Sequence, residues 1–498
     1  MKASADRIMK MAGEIITRRP AVSVLIIILI NFIIRIFVFY NTLLFSFADY
    51  AAYLDAVRKI HDGEKVYLLN GNFLFAISYL GYFAEKISGS RELFFIFNCA
   101  AGSAATLVVY ILVKKITGSI PAGLITLVIL TLYTEFMVFS SVFYTPVIMI
   151  LLVSLILLVI RQYINEEKRG GIIISGLLAT LLFLITFFFK PELKYFPWFM
   201  LAAALFPIKE MQGVRKKVII LSAAMLLSYF LFDLSGVISR PEGNVISNSF
   251  VFFGHTGYGG DGGEGAFVYP ENEAQYDSAL AVWCRENNIG NPSAADINKF
   301  QVEEMRRFIT GHPAKWIILQ FRKFFRTFGV VPESTSFRVL YTGLLGGRLR
   351  LTAMVTVIPV VLIILMFIIF FPAAGSDKLR RVMQEPFIFI YLILFVYYII
   401  ATIFYGQYQE RYRMPVMVLF IIPAIGYFIY GFKRKEFVNC KAVIIKALVI
   451  TLFSLMWIFQ GISVSRGWER YEKKIAEPYG KAKSELPASG IDKLNRQW

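Results

Sequence analysis

Long apolar runs alternate with short, basic polar segments along most of the chain. An apolar run of about 20 residues is long enough to cross a bilayer as a helix. The pattern therefore predicts an all-α polytopic membrane protein with a bundle of about eleven transmembrane helices. The expected spans are residues 21–40, 92–113, 119–134, 136–160, 171–189, 195–208, 218–238, 351–371, 386–405, 414–431 and 442–463.

Lysine and arginine orient these spans, because short cytoplasmic loops are enriched in both residues. With the basic N-terminus inside, every short loop assigned to the cytoplasm is rich in Lys and Arg. The same topology places the polar segments 41–91, 239–350 and 407–413 together on the outer face. The predicted units are an N-terminal transmembrane module (1–238) with a catalytic first outer loop (41–91), a large extracytoplasmic loop (239–350), C-terminal transmembrane helices (351–463) and a polar outer tail (464–498).

Both outer loops are predicted to contain helices. In the first, one helix begins near Asp49 and an aromatic stretch, 73–83, is too short to span, so two helices are expected along the membrane surface. In the second, a Gly-rich stretch (251–268) precedes three helices. These are 273–288, a helix opened by a capping-box variant at Ser293 and Asp296 and ending at Gly311, and a basic amphipathic helix from Pro313.

Composition excludes several classes of function. The chain is 57% hydrophobic with 17% charged residues and a net charge of +18. Its basic residues lie in short loops and at helix ends, which argues for cytoplasmic loops and anionic lipid rather than nucleic acid. Three cysteines give no disulfide framework. The chain has no Walker loop, dinucleotide fingerprint, HExxH or GxSxG motif, and no paired broken helices in inverted repeats were detected.

Asp49 is the first candidate for chemistry. It lies just past the end of the first span, with Tyr50 and Tyr53 beside it. A carboxylate at a membrane boundary is costly unless it is solvated, paired or used. Two interpretations stay open at this point: an N-cap of the following helix, or a reactive carboxylate. Arg35, inside the first span, is expected to face the bundle interior or to extend to the interface.

Cations near the outer face are the second group of candidates. Lys190 ends the fifth span before a proline, so it either extends to the interface or binds a phosphate. Arg411 and Arg413, with Glu410 and Tyr412 between and beside them, crowd a short outer loop. They form either a clamp for a phosphate or sugar or an interfacial belt of Tyr and Arg.

His255, Asp261 and Glu264 lie in the Gly-rich stretch. Carboxylate oxygens are ligands for hard cations, so a divalent metal is an open alternative. Their spacing matches no calcium loop and one histidine is a poor transition-metal site. A loop that covers the substrate is therefore favoured, and no metal site or cofactor is predicted.

Four motifs resemble the GT-C superfamily of membrane glycosyltransferases, nearest to the bacterial family 39 or protein-O-mannosyltransferase-like branch. They are FADYAAYLDAVRKIHDGEKVY in the first outer loop, ITFFFKPEL at the end of a middle span, GHPAKWIILQFRKFFRTFG in the large loop and ERYRMPVMVLF at a late span. Each motif is short, and the resemblance rests on their order along the chain and on their common assignment to the outer face of the membrane. The architecture of most of the chain is similar to that superfamily.

The resemblance implies a GT-C type bundle that transfers a sugar from a polyprenyl-phosphate donor to an acceptor hydroxyl, with inversion, at the extracytoplasmic face of the cell membrane. Asp49 would be the general base, and Lys190, Arg411 and Arg413 would bind the donor phosphate. Substrate contacts would come from Tyr50, Tyr53, Glu135, His255, Glu410 and Tyr412. The acceptor would be a lipid, glycan or protein.

One departure from the family pattern concerns the first loop. Asp49 is followed by tyrosine where many members have a second acid, so Glu135, at the next outer turn, is the candidate second carboxylate. Two alternative functions stay open. A lipid-linked glycan polymerase or ligase would need a diphosphate donor, and a lipid or glycan transporter would form no covalent product.

Overall fold

The structure is a computed structural model. It describes residues 20–41, 48–64, 76–189, 193–205, 211–234, 270–327, 385–404 and 410–425, together with short pieces at 66, 69–70, 73–74, 252, 254–256, 258, 340, 351–352, 355 and 451. In these residues the chain is helical except for one two-residue antiparallel ladder and the turns between elements. The prediction of an all-α chain is confirmed for this part of the protein.

Five described helices are long and apolar enough to cross a membrane. They are α1 (Pro20–Tyr40), α4 (Glu92–Thr117), α7 (Pro146–Asn165), α8 (Arg169–Phe189) and α10 (Arg215–Leu234). Shorter apolar helices occupy three further predicted spans: α9 (Phe196–Leu205), α14 (Pro386–Phe404) and α15 (Glu410–Val416), which continues into a π-helical turn, Met417–Ile421. The predicted spans at 351–371 and 442–463 lie almost entirely outside the described residues.

The third and fourth predicted spans are divided differently from the prediction. Helix α5 (Ile120–Leu132) is followed by a short helix α6 (Thr134–Val138) and a 3-10 turn (Phe139–Ser141), which lie at 64° to it. Helix α7 then begins at Pro146, not at residue 136. Extended backbone at Tyr133 stops α5, and proline suits the first turn of α7 because it lacks the N–H that would be unbonded there. Counting α5 and α6 as one broken span gives six candidate spans.

The segment between α1 and α4 contains the two expected helices, α2 (Ala48–His61) and α3 (Ala76–Ser88). Helix α3 begins later than predicted because Phe73 and Leu74 form strand β2, which pairs with β1 (Leu69–Asn70). The two helices pack against each other, and α3 also contacts α4 and α8. Neither is long enough to cross a bilayer.

The three helices predicted in the large loop are also present: α11 (Pro270–Glu286), α12 (Ala294–Gly311) and α13 (Pro313–Thr327). The capping box at Ser293 and Asp296 is confirmed. These helices have a small core of their own, built on Trp283, Cys284 and Phe300. Helix α13 contacts α14, which connects this unit to the bundle.

Helices α4 and α7 form the centre of the bundle and pack against each other. Helix α1 packs on α4 and α5, while its other side exposes Leu25, Leu29, Ile33 and other large apolar residues. Such a surface is unfavourable in water and suits lipid. Arg35 lies on the inner side of α1 and is fully buried, so the expectation that it faces the bundle interior is confirmed.

Candidate functional site

A buried ion pair joins the two halves of the described bundle. Arg413 Nε donates to Glu135 Oε2 over 3.1 Å, and Arg413 Nη2 contacts Glu135 Oε1. The Tyr133 hydroxyl donates to Glu135 Oε2 at 2.5 Å. The Glu135 and Arg413 side chains are only 1% and 3% exposed. We call these three residues the Glu135 cluster.

Local structure explains where each member of the cluster lies. Glu135 is in the first turn of α6, where the helix dipole favours a negative charge. Arg413 is in α15, two residues before Pro415 and next to the π-helical turn. Proline removes a helical hydrogen bond, and π-helical turns recur at functional sites. The cluster is therefore built where the two helices depart from regular geometry.

Arg35 of α1 binds the residues that follow Glu135 in α6 and in the 3-10 turn. Its Nε donates to Asn31 Oδ1 over 2.9 Å, and its Nη1 donates to the Phe136 carbonyl over 2.6 Å and to the Ser140 hydroxyl. The guanidinium also lies 4.2 Å from the centre of the Phe136 ring. Helix α1 thus binds backbone and side-chain oxygens of α6 and the 3-10 turn, immediately beside Glu135.

Ser103 and Asn98 of α4 extend this hydrogen-bond network. Asn31 Oδ1 accepts from the Ser103 hydroxyl over 2.9 Å, and Asn98 Nδ2 donates to the Ser140 carbonyl over 3.0 Å. Carbonyls at a helix break need partners when water is absent. Gly102 leaves room for Arg35, since a Cβ there would lie 2.5 Å from Arg35 Nη1.

Asp49 lies within the first turn of α2, since the helix begins at Ala48. This position is inside the helix rather than at the cap that precedes it. The side chains of Asp49 and Tyr50 are outside the described set. One turn later, Tyr53 is 7% exposed, and its ring meets Tyr144 edge-on at 5.9 Å. Tyr144 lies after the 3-10 turn, so α2 contacts the segment that connects this turn to α7.

The structure brings together two of the predicted site residues, while several others lie outside the described residues or have side chains outside them. Glu135 and Arg413 are in direct contact, and Tyr53 packs on the loop that follows them. Glu410, Arg411 and Tyr412 lie at the start of α15, with side chains outside the described set. Lys190, Asp261 and Glu264 lie outside the described residues altogether.

His255 belongs to the large-loop unit. Its Nδ1 accepts a hydrogen bond from Trp316 Nε1 of α13 over 3.0 Å, and the two rings are stacked. Beside it, Lys323 of α13 is fully buried and donates to the Gly254 carbonyl over 3.0 Å. Burial lowers the pKa of Lys323 to about 7. The described part of the Gly-rich stretch is therefore held against α13.

A cleft of about 330 Å³ opens in the large-loop unit, between Thr256, Tyr258 and helices α11 and α12. Its lining mixes aromatic and polar side chains: Tyr258, Gln275, Glu304, Arg307, Phe308 and His312. Within the described residues, no three His, Cys, Asp or Glu side chains are grouped so as to hold a metal ion.

Sequence reasoning did not anticipate Tyr133 or the target of Arg35. A tyrosine two positions from a buried glutamate was a signal for the first. The spacing of Asn31 and Arg35, one helical turn apart in an apolar span, was a signal for the second. Comparisons with models of known protein families and with curated proteins find no match to this chain.

Proposed function

We propose that the protein is a GT-C type glycosyltransferase that transfers a sugar from a polyprenyl-phosphate donor to an acceptor hydroxyl on the extracytoplasmic face of the cell membrane. The observation that carries the proposal is the Glu135 cluster. It joins a carboxylate and an arginine that are 278 positions apart. The segment that follows Glu135 also contacts α2, the helix of Asp49, through Tyr144 and Tyr53. The outer turn of Glu135 and the start of α15, both assigned to the outer face by the charge distribution, are thus in direct contact.

The proposed reaction is a direct displacement. Asp49 takes the proton of the acceptor hydroxyl, the oxygen attacks the anomeric carbon, and the bond to the phosphate oxygen breaks on the opposite side. The configuration at the anomeric carbon is inverted, and polyprenyl phosphate leaves with the bonding electrons. This leaving group needs no proton but does need positive charge, which preorganised cations supply.

The contacts of the Glu135 cluster support different roles for the two carboxylates. Both Glu135 oxygens are engaged by Arg413 and Tyr133, so this carboxylate is poorly placed to accept a proton. Asp49 is therefore the better general base. The pair also neutralises Arg413, so we assign the donor phosphate to Lys190 and Arg411, with Arg413 holding the start of α15 in position.

The bilayer and two predicted spans complete the proposed architecture. Adding 351–371 and 442–463 to the described helices gives the eleven-span bundle expected from the sequence. The lipid chain of the donor would lie between spans, and the 239–350 segment would exclude water from the sugar. No resident cofactor is proposed, because lysine and arginine can neutralise the phosphate.

The test is transfer by purified protein from radiolabelled monosaccharyl-phosphoryl-polyprenols, with a membrane extract as the acceptor source. Asp49→Asn removes the base without changing its size, so transfer should fall by about 10²–10⁴-fold while donor binding persists. Asp55→Asn is the matched control, because Asp55 lies on the same helix, is exposed and pairs with Lys59. Its transfer rate should match the wild type.

Other outcomes separate the alternatives. Equal transfer by wild type and Asp49→Asn would remove Asp49 from the mechanism. Turnover only with diphosphate-linked donors would favour a glycan polymerase or ligase. Movement of label across the membrane with no covalent product would favour a transporter.

A further inference from the structure

The cleft in the large-loop unit has the composition of a ligand site. Tyr258 and Phe308 supply aromatic surface, and Gln275, Glu304 and Arg307 supply hydrogen-bonding groups. Its volume of about 330 Å³ is at the lower end of the range for small-molecule sites, about 300–1,000 Å³. The site is formed by Thr256, Tyr258, α11, α12 and His312, and shares none of its lining residues with the Glu135 cluster.

The polar groups of the cleft hold one another in position. Arg307 Nη1 pairs with Glu304 Oε1 at 2.6 Å, and the Tyr258 hydroxyl approaches Glu304 Oε2 at 3.4 Å. The Glu304 side chain is 13% exposed and the Arg307 side chain 74% exposed. A guanidinium has five N–H donors, so one bond to Glu304 leaves donors for a ligand in the open part of the cleft.

The charge balance of the lining indicates the class of ligand. Glu304 and Arg307 neutralise each other, so a phosphate or a carboxylate gains no net attraction from this pair. A ligand with many hydroxyl groups fits better, since each hydroxyl both donates and accepts. A sugar also has an apolar face of C–H groups that packs on aromatic rings such as Phe308 and Tyr258.

We propose that this cleft binds a neutral sugar unit of a glycan acceptor. The inference rests on the proposed function, and it narrows the acceptor from lipid, glycan or protein to a glycan. The cleft would hold a unit away from the reacting hydroxyl, so that binding energy gained there positions the acceptor for the displacement. Such remote contacts act on catalysis through positioning.

The first experiment measures sugar binding without donor. Full-length protein in nanodiscs is titrated by saturation-transfer NMR with methyl mannoside, methyl galactoside, methyl glucoside and N-acetylglucosamine, and with inorganic phosphate as the anionic probe. At least one neutral sugar should bind. Arg307→Ala should weaken its binding about tenfold through loss of a charge-assisted hydrogen bond.

The matched control is Arg306→Ala, since Arg306 is the exposed neighbour of Arg307 on α12 and does not line the cleft. Binding by this variant should stay at the wild-type level. Gln275→Ala, a second exposed lining position, should weaken binding without disturbing the fold. Absence of binding by all four sugars, equal binding by all variants, or competition by phosphate would overturn the proposal.

A second measurement separates this inference from the transferase proposal. Asp49→Asn should bind the sugar as the wild type does. If the protein binds sugar but transfers from no donor, the proposal of a sugar site in the cleft stands and the transferase proposal fails. If Arg307→Ala transfers sugar with an unchanged acceptor KM, the proposal that the cleft binds the acceptor fails and the transferase proposal stands.

Discussion

Glu135 and Arg413 form a buried ion pair in which each charge is stabilised by the other. Removing one partner leaves an uncompensated charge in a water-free interior, at a cost of about 3–5 kcal/mol. Glu135→Gln should therefore lower the thermal stability of the purified protein strongly. Glu135→Gln combined with Arg413→Met should cost less than the two single changes added together, because the double variant leaves no buried charge in this pair.

The ion pair between Arg161 and Glu385 offers a matched control. It is 3.1 Å long, but its side chains are 17% and 24% exposed, so water screens it. Glu385→Gln should therefore cost less than Glu135→Gln. Equal losses for Glu135→Gln and Glu385→Gln, or simple additivity in the double variant, would contradict the structural role of the Glu135 cluster.

Lys323 gives the large-loop unit a dependence on pH. Its pKa is about 7 when folded, against about 10.4 for an exposed lysine. Between these values the unfolded chain binds a proton that the folded chain does not. The free energy of unfolding should therefore rise with pH from about 7 upward, by at most about 1.4 kcal/mol per pH unit, and level off near 10.4.

The measurement is hydrogen exchange of α13 as a function of pH, after correction for intrinsic exchange rates. Lys323→Met keeps the length of the side chain and removes the titrating group. Its stability should vary less with pH than that of the wild type, and it should be more stable near pH 7. Parallel curves for the two proteins would show that Lys323 does not titrate in this range.

At the scale of elements, the broken span α5–α6 depends on space for Arg35. Gly102→Ala places a methyl group against the Arg35 guanidinium and the Ser140 hydroxyl, so stability should fall by about 1–3 kcal/mol. Gly170→Ala is the control, because its new Cβ has no atom within 4 Å in the described structure. It should be neutral or gain up to about 1 kcal/mol of helix propensity. Matching losses, measured by thermal unfolding, would mean that the cavity for Arg35 has no importance.

Sequence patterns predicted most helices because each apolar run has to bury its own backbone hydrogen bonds in lipid. The sequence predicted a turn near Thr134 and Glu135, but not the short helix and 3-10 turn that follow it, since residues 136–139 are as apolar as the span around them. What fixes the break is the contact of Phe136 and Ser140 with Arg35, about 100 residues earlier. The helix propensity of residues 136–140 does not depend on such a contact, so it could not predict the break.

The same limit applies to the candidate site. Residue types and sidedness were sufficient to select Glu135 and Arg413 as candidates. Their pairing across 278 positions needs the folded chain, and the predictions of substrate binding by Glu135 and of phosphate binding by Arg413 contained no such contact. The ring contact of Tyr53 with Tyr144 is a further feature that the sequence pattern did not indicate.

At the scale of the whole molecule, the charge distribution predicts which ends of the helices share a side. In a cysteine-free background, Arg306→Cys on α12 should react with a membrane-impermeant maleimide in intact cells. Lys216→Cys on α10 should react only after the membrane is permeabilised, because its basic segment is assigned to the cytoplasm. Both positions are exposed in the structure. Labelling of both from one side would overturn the assigned topology.

The pairing of Glu135 with Arg413 also has a consequence for biosynthesis. The ribosome adds about 5–20 residues per second, so the 278 positions between them take about 15–55 s to synthesise. For that time Glu135 stands in a nascent bundle without its arginine. The newly inserted N-terminal helices are thus an incomplete intermediate whose carboxylate must remain protonated or near water until α15 arrives, and a chain truncated before Arg413 should be a substrate for membrane quality-control proteases.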